Sequence, residues 1–154
     1  MLPALSQAAG TATMNFDEAT VSTELGESFD LTVQVEPGGE DLDTVRSIVT
    51  YDPETLSVQH VTLTGAFDRS APGNYIDNGS GKVSWGAFTL DGPISTSDSF
   101  VSISFLAIQE GTATVAISSD SRAISSGSEM INTAALGSTE VTVGAKIEAD
   151  PTLS

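Results

Sequence analysis

Between positions 29 and 35 apolar and polar residues alternate strictly: Phe29, Leu31, Val33 and Val35 are interleaved with Asp30, Thr32 and Gln34. A period of two marks a β-strand with one buried and one wetted face. The period recurs along the chain. Met14 and Phe16 open a short strand, and Val21 and Leu25 lie in an extended piece after it. Pro37-Gly38-Gly39 interrupts the pattern before a strand over 44–51, with Val45, Ser47, Val49 and Tyr51 inward and Arg46, Ile48 and Thr50 outward. Leu56, Val58, Val61 and Leu63 form the next strand, and its phase breaks near His60 as at a β-bulge. A loop is expected over 65–74.

Tyr75 and Ile76 begin a short strand that Asp77-Asn78-Gly79-Ser80-Gly81 turns back, because Asn-Gly tolerates positive φ. Val83, Trp85 and Ala87 then point inward, leaving Lys82, Ser84 and Phe88 on the other face. Gly92-Pro93 leads to Val101, Ile103, Phe105 and Ala107; Glu110-Gly111 turns into Ala113, Val115 and Ile117. A short helical turn is expected between Ala123 and Ala135, before a closing strand with Val141 and Val143. About nine strands, frequent turn signals and no amphipathic helix predict an all-β fold. It is an antiparallel β-sandwich of jelly-roll or immunoglobulin-like type. Phe29, Leu31, Val33, Val49, Trp85, Ile103 and Phe105 are its expected core. The sandwich occupies 12–144, between an extension over 1–11 and a linker-like tail over 145–154.

With 154 residues the chain is one domain, large enough to bury roughly 70% of its unfolded surface. It has no cysteine, which excludes disulfides and thiolate metal sites. Twenty-one acidic against five basic residues give a formal charge of −16, and repulsion from phosphates argues against nucleic acid or an anionic membrane as partner. No apolar run reaches the length of a membrane span. Charged residues are only 17% of the chain, and abundant Ser, Thr and Gly suit an extracellular β-domain more than a disordered acidic tail. Small, mildly apolar residues over 1–10 read as the remainder of a trimmed secretory leader. A secreted or cell-surface location is expected.

Catalytic chemistry is poorly supplied. His60 is the single histidine, so Ser and Thr lack a base, and the chain is expected not to be an enzyme. No cofactor is required. Two acidic loops offer oxygen ligands for a structural calcium: Glu40-Asp41-Leu42-Asp43, through Asp41 and Asp43, and Asp77-Asn78-Gly79-Ser80, through Asp77 and Asn78. The alternative for each is a solvated or self-supporting turn.

Four pieces in order carry a resemblance: Gly26-Glu27-Ser28-Phe29; Val49-Thr50-Tyr51-Asp52-Pro53-Glu54-Thr55-Leu56 with Val58 and Val61; Gly81-Lys82-Val83-Ser84-Trp85; and Val101-Ser102-Ile103-Ser104-Phe105 with Ala107 and Gly111-Thr112-Ala113. Over 12–144 the chain resembles a cohesin domain. The resemblance implies a noncatalytic interaction module that docks a dockerin-type partner on one flat sheet, across strands matching 44–51, 75–78, 82–90 and 101–109. Outward positions there are Arg46, Ile48, Thr50, Phe88, Ser104, Leu106 and Ile108. Ile48, Leu106 and Ile108 are expected to form an exposed apolar patch, unless a loop or the C-terminal segment covers them. The fold is shared with carbohydrate-binding modules and other surface domains. A self-associating adhesive or filament subunit, and a polysaccharide binder, therefore stay open; few aromatics are in outward phase, and Trp85 shares the core phase of Val83 and Ala87.

Overall fold

The computed structural model describes residues 10–146. Among them are thirteen strands and one short helical turn. The strands are β1 (Thr13–Phe16), β2 (Thr20–Glu24), β3 (Ser28–Glu36), β4 (Thr44–Thr50), β5 (Leu56–Leu63), β6 (Arg69–Ser70) and β7 (Tyr75–Asp77). After them come β8 (Lys82–Phe88), β9 (Asp98–Ala107), β10 (Gly111–Ile117), β11 (Arg122–Ser125), β12 (Ser128–Glu129) and β13 (Ser138–Gly144). Four strands form one sheet in the order β1-β3-β9-β5. The other sheet runs β12-β11-β4-β10-β13-β2, with β8 on the second edge of β4 and with β6 and β7 on β8.

The all-β sandwich agrees with the alternation, but its strands outnumber the expected nine: β6 and β12 are two-residue pieces inside loops, the extended piece after β1 pairs as β2, and Arg122–Ser125 forms β11. Nor is pairing wholly antiparallel. β1 and β2 follow one another yet belong to different sheets, and this crossing lays β2 parallel to β13. The helical turn falls at Thr133–Ala135, where the Asn132 side chain accepts from the Ala134 amide. The extension over 1–11 and the tail over 145–154 lie mostly outside the described residues.

Leu31, Val33 and Val35 of β3 and Ile103 and Phe105 of β9 bury their side chains against Val45, Val49, Val83, Val115 and Val141 of the larger sheet. Removing such apolar surface from water is the main stabilising term of a sandwich. Phe105 stacks on Phe29 at 5.4 Å and meets the Tyr51 ring edge-on at 5.6 Å. Phe67, from the expected loop, is fully buried against Phe100. Phe29 and Trp85 keep the inward phase but are only partly covered; the sheet facing β8 is narrower than the one β8 belongs to. The bulge appears where the phase broke, between Val58 and His60.

The hairpin between β7 and β8 forms as expected, with Asp77 opposite Lys82. Its left-handed residue is Gly81 (φ 76), however, and not Asn78 or Gly79. The reason is a close approach: a Cβ on Gly81 would lie 2.1 Å from the Tyr51 carbonyl oxygen. Tyr51 donates its amide to the Gly81 carbonyl at 2.9 Å, and its hydroxyl donates to Asn78 Oδ1 at 2.5 Å.

Burial of the Tyr51 ring, with the negative Asp77 nearby, pushes its hydroxyl from 10.0 up to about 12. Between those values the unfolded chain ionises Tyr51 while the folded chain keeps it protonated. The unfolded state then binds fewer protons, so stability falls as pH rises from 10 through about 12, and is unaffected by this group below 10. Urea titrations across pH 9–12 should show this loss in the parent chain and a smaller one in Tyr51→Phe. Identical alkaline losses in both would contradict the assignment.

Candidate partner-docking face

Residues directly opposite each other in an antiparallel pair present their side chains on the same face. Along β4 and β8 the outward pairs are Thr44–Phe88, Arg46–Gly86, Ile48–Ser84 and Thr50–Lys82. β7 adds Tyr75 opposite Ser84 and Asp77 opposite Lys82; β6 adds Arg69 opposite Phe88; β11 adds Arg122 opposite Arg46. The intervening pairs, Val45–Ala87, Ser47–Trp85 and Val49–Val83, point into the sandwich.

Arg46 lies flat across this face because its partner on β8 is a glycine. A Cβ on Gly86 would stand 2.6 Å from Arg46 Nη2. The guanidinium donates to Asn74 Oδ1 at 3.1 Å, Ser84 Oγ at 2.9 Å and the Pro72 carbonyl at 2.7 Å. Asn74 in turn accepts from the Gly86 amide at 2.7 Å and donates to the Gly86 carbonyl at 3.2 Å. Arg46 is thus a clamp on the segment 71–74, and every acceptor that it uses is neutral.

Four of the five basic residues of the chain, Arg46, Arg69, Lys82 and Arg122, share this face. Arg122 is paired with Glu129 at 3.1 Å. Among the described residues no ion pair holds Arg46, Arg69 or Lys82. Apolar surface is exposed here as well. Tyr75 is 42% exposed, Leu90, just past β8, is 68% exposed, and Ile48 and Phe88 are partly so. Phe88 and Leu90 help to line a cavity of about 560 Å³ at the end of the face, rimmed by Asp41, Asp43 and Ser126.

Of the residues proposed for partner binding, Arg46, Ile48, Thr50 and Phe88 come together on this face. Ser104, Leu106 and Ile108 do not. β9 pairs along its length with β3 and β5, in the other sheet, so Ser104 and Leu106 point away from the opposite side of the sandwich and Ile108 follows the end of the same strand. The expected patch of Ile48, Leu106 and Ile108 therefore does not exist. Ser104 is also buried: Gln59, at the β5 bulge, reaches over it and accepts from Ser28 at 3.0 Å. Alternation along a strand had identified its outward side but not its sheet. Tyr75, Arg69, Lys82 and Arg122 were not among the proposed residues. The hairpin register alone was enough to find Tyr75, since it places that ring beside Ser84.

The two acidic loops lie at opposite ends of β4 and serve their own turns. Asp43 accepts from the Thr44 hydroxyl at 2.9 Å and the Ser126 amide at 2.8 Å. Asp77 accepts from the Ser80 hydroxyl and from the amides of Ser80 and Gly79, and these bonds hold its carboxyl below its ordinary value. Asn78 Oδ1 is taken up by the Tyr51 hydroxyl and by the Val58 amide at 2.7 Å, while its Nδ2 donates to the Val58 carbonyl at 2.9 Å. Of the four expected calcium ligands, only Asp41 has no such bond. Among the described residues no three His, Cys, Asp or Glu gather as a metal site. His60 lies outward on β5 opposite Ser104.

A family model for the cohesin domain matches residues 13–148. No curated protein matches the chain. Solved structures with the same fold include a non-cellulosomal cohesin from the archaeon Archaeoglobus fulgidus, at 14% identity and TM-score 0.68, covering 88% of this chain and 93% of that one. A type I cohesin–dockerin complex from Clostridium thermocellum matches at 12% identity and TM-score 0.70, over 92% and 99% of the two chains. The sixth cohesin of scaffoldin B from Acetivibrio cellulolyticus, solved in complex with a dockerin, matches at 18% and 0.63, over 90% and 100%.

Replacing Arg46 with Leu should leave the sandwich folded but release the segment 71–74. Three hydrogen bonds to a charged donor are lost, each worth about 1.5–3 kcal/mol where well formed. Exchange of the Ala71 and Gly86 amides, which donate to the Gly86 carbonyl and to Asn74 Oδ1, should then speed up at least about tenfold. Unchanged exchange there would show that Arg46 is not the clamp.

Proposed function

The chain belongs to the cohesin family, and from that premise we propose that it captures a dockerin-type protein on the outer face of β4, β7 and β8. Cohesin domains are noncatalytic interaction modules, so the chain is not an enzyme. Several structural neighbours are complexes of a cohesin with a dockerin, which makes a dockerin-type module the partner of this reading.

One observation carries the choice of face: apolar side chains are exposed on one sheet and scarce on the other. Tyr75, Ile48 and Phe88 stand outward on β7, β4 and β8, with Leu90 beside them. Outward positions on the four-stranded sheet include Asp30, Thr32, Ser57, Thr62 and Ser102, with Leu106 and, just past β9, the exposed Ile108 as the apolar exceptions. Water-facing apolar groups contribute little to folding. Burial under a partner is worth roughly 1.5–3 kcal/mol for each fully covered side chain, before the cost of association. The cavity at the Phe88 end combines apolar walls, from Phe88, Leu90 and Pro93, with a polar rim that includes Asp41 and Asp43, and can take an amphipathic side chain of the partner.

We place the module outside the cell or on its surface. The Ser-, Thr- and Gly-rich composition supports this, and among the described residues no helix is long and apolar enough to cross a membrane. Sugar binding has less behind it: seven of the nine aromatic rings lie in or against the core, and no row of exposed rings accompanies Tyr75.

Binding of a panel of purified dockerin modules, measured by calorimetry, tests the reading. The parent chain should capture at least one. Ile48→Asp with Tyr75→Asp should weaken that capture at least about 100-fold, whereas Leu106→Asp on the opposite sheet should leave it within about threefold. The converse pattern would move the docking face to the four-stranded sheet.

A further inference from the structure

Resting on that docking reading, we infer that the partner's recognition surface is acidic, although the chain that binds it carries a charge of −16. The inference starts from where the cations stand. A chain with 21 carboxylates has acids available to neutralise each of its five bases. Yet Arg46, Arg69 and Lys82 form no ion pair among the described residues. Arg46 is held by an amide, a hydroxyl and a backbone carbonyl, all neutral, which fix its position and preserve its charge. The outer face of the four-stranded sheet has no Lys or Arg, and carries Asp30 and Glu36.

On the strands of the basic face, Asp77 is engaged chiefly by Ser80 and the turn amides and feels Lys82 opposite it only as a nearby charge, and Glu129 is paired with Arg122; Asp41 and Asp43 stand at the cavity that ends the face. Lys82 and the Arg69–Phe88 pair mark the two ends of β8, about 20 Å apart at roughly 3.3 Å per residue. Arg46 lies between them, opposite Gly86.

Screening lets this local pattern outweigh the net charge. At physiological salt the Debye length is about 8 Å, so a partner near this face responds chiefly to the charges on it. Acidic groups spread along about 20 Å would meet Lys82, Arg46 and Arg69 in turn, while the remaining acidic surface repels misplaced encounters. Such complementarity acts mainly on association rate and on the choice of partner.

Two dockerin modules that differ only at four exposed docking positions, all Glu in one and all Lys in the other, provide the test. At 50 mM NaCl the Glu module should bind the chain at least about tenfold more tightly, with the gap narrowing at 500 mM. Arg69→Glu with Lys82→Glu, checked as folded by circular dichroism, should abolish or invert the preference. Equal binding, or tighter binding of the Lys module, would overturn the acidic-partner inference and leave the docking reading standing. So would a preference unchanged in the double variant. Binding of neither module, nor of their unmodified parent, would overturn both.

Discussion

The register between β4 and β8 is the constraint on which the rest of the molecule depends. Seven consecutive pairs, from Thr44–Phe88 to Thr50–Lys82, decide which side chains enter the core and which stand on the outer face. Side chains repeat every two residues, so a slip by one would expose Val45, Val49, Val83 and Ala87 and bury Arg46 and Lys82. Two devices hold the pairing in place. At one end, Gly81 lets the hairpin backbone close against the Tyr51 carbonyl. In the middle, Arg46 lies over Gly86, where a Cβ would stand 2.6 Å from Nη2 and push the guanidinium from its place. The second device also binds the 71–74 segment, so one arginine couples register to the shape of the surface beside it.

Much of this was legible from alternation. The inward rows of β3, β4, β8 and β9 and the bulge near His60 are local properties, read over a few residues. Sheet membership is not local. Nothing in the alternation of Ser102, Ser104 and Leu106 says that β9 pairs with β3 and β5 rather than with β4. That is why three of the seven proposed binding residues, Ser104, Leu106 and Ile108, lie on the other sheet from the remaining four. Phe67 escaped for a related reason: it is an isolated apolar residue in a loop, and only the assembled sandwich shows that it plugs the core against Phe100. At the β7–β8 turn the Asn-Gly pair gave the right position and the wrong mechanism. Asn78 spends its amide on Tyr51 and Val58, which ties the hairpin to the edge of β5.

Charge has a total and an arrangement, and only the total is read directly from the sequence. A total of −16 describes the molecule seen from far away, where the field of all charges adds. At contact range, order along the strands matters more. Positions 46, 69, 82 and 122 look scattered in the sequence, and the sheet brings them to one face. The acidic remainder is consistent with solubility and with suppression of unwanted contacts. Under the docking proposal, recognition and repulsion fall to different surfaces of one small domain.

The central claim is that the outer face of β4, β7 and β8 is where the partner sits. Amide hydrogen exchange of the chain, free and with a captured dockerin module, examines it without any substitution. Slower exchange should appear over 46–50, 73–77 and 82–88, with β3, β5 and β9 little changed. Protection concentrated instead over 57–62 and 102–106, with 46–50 and 82–88 unaffected, would contradict the account.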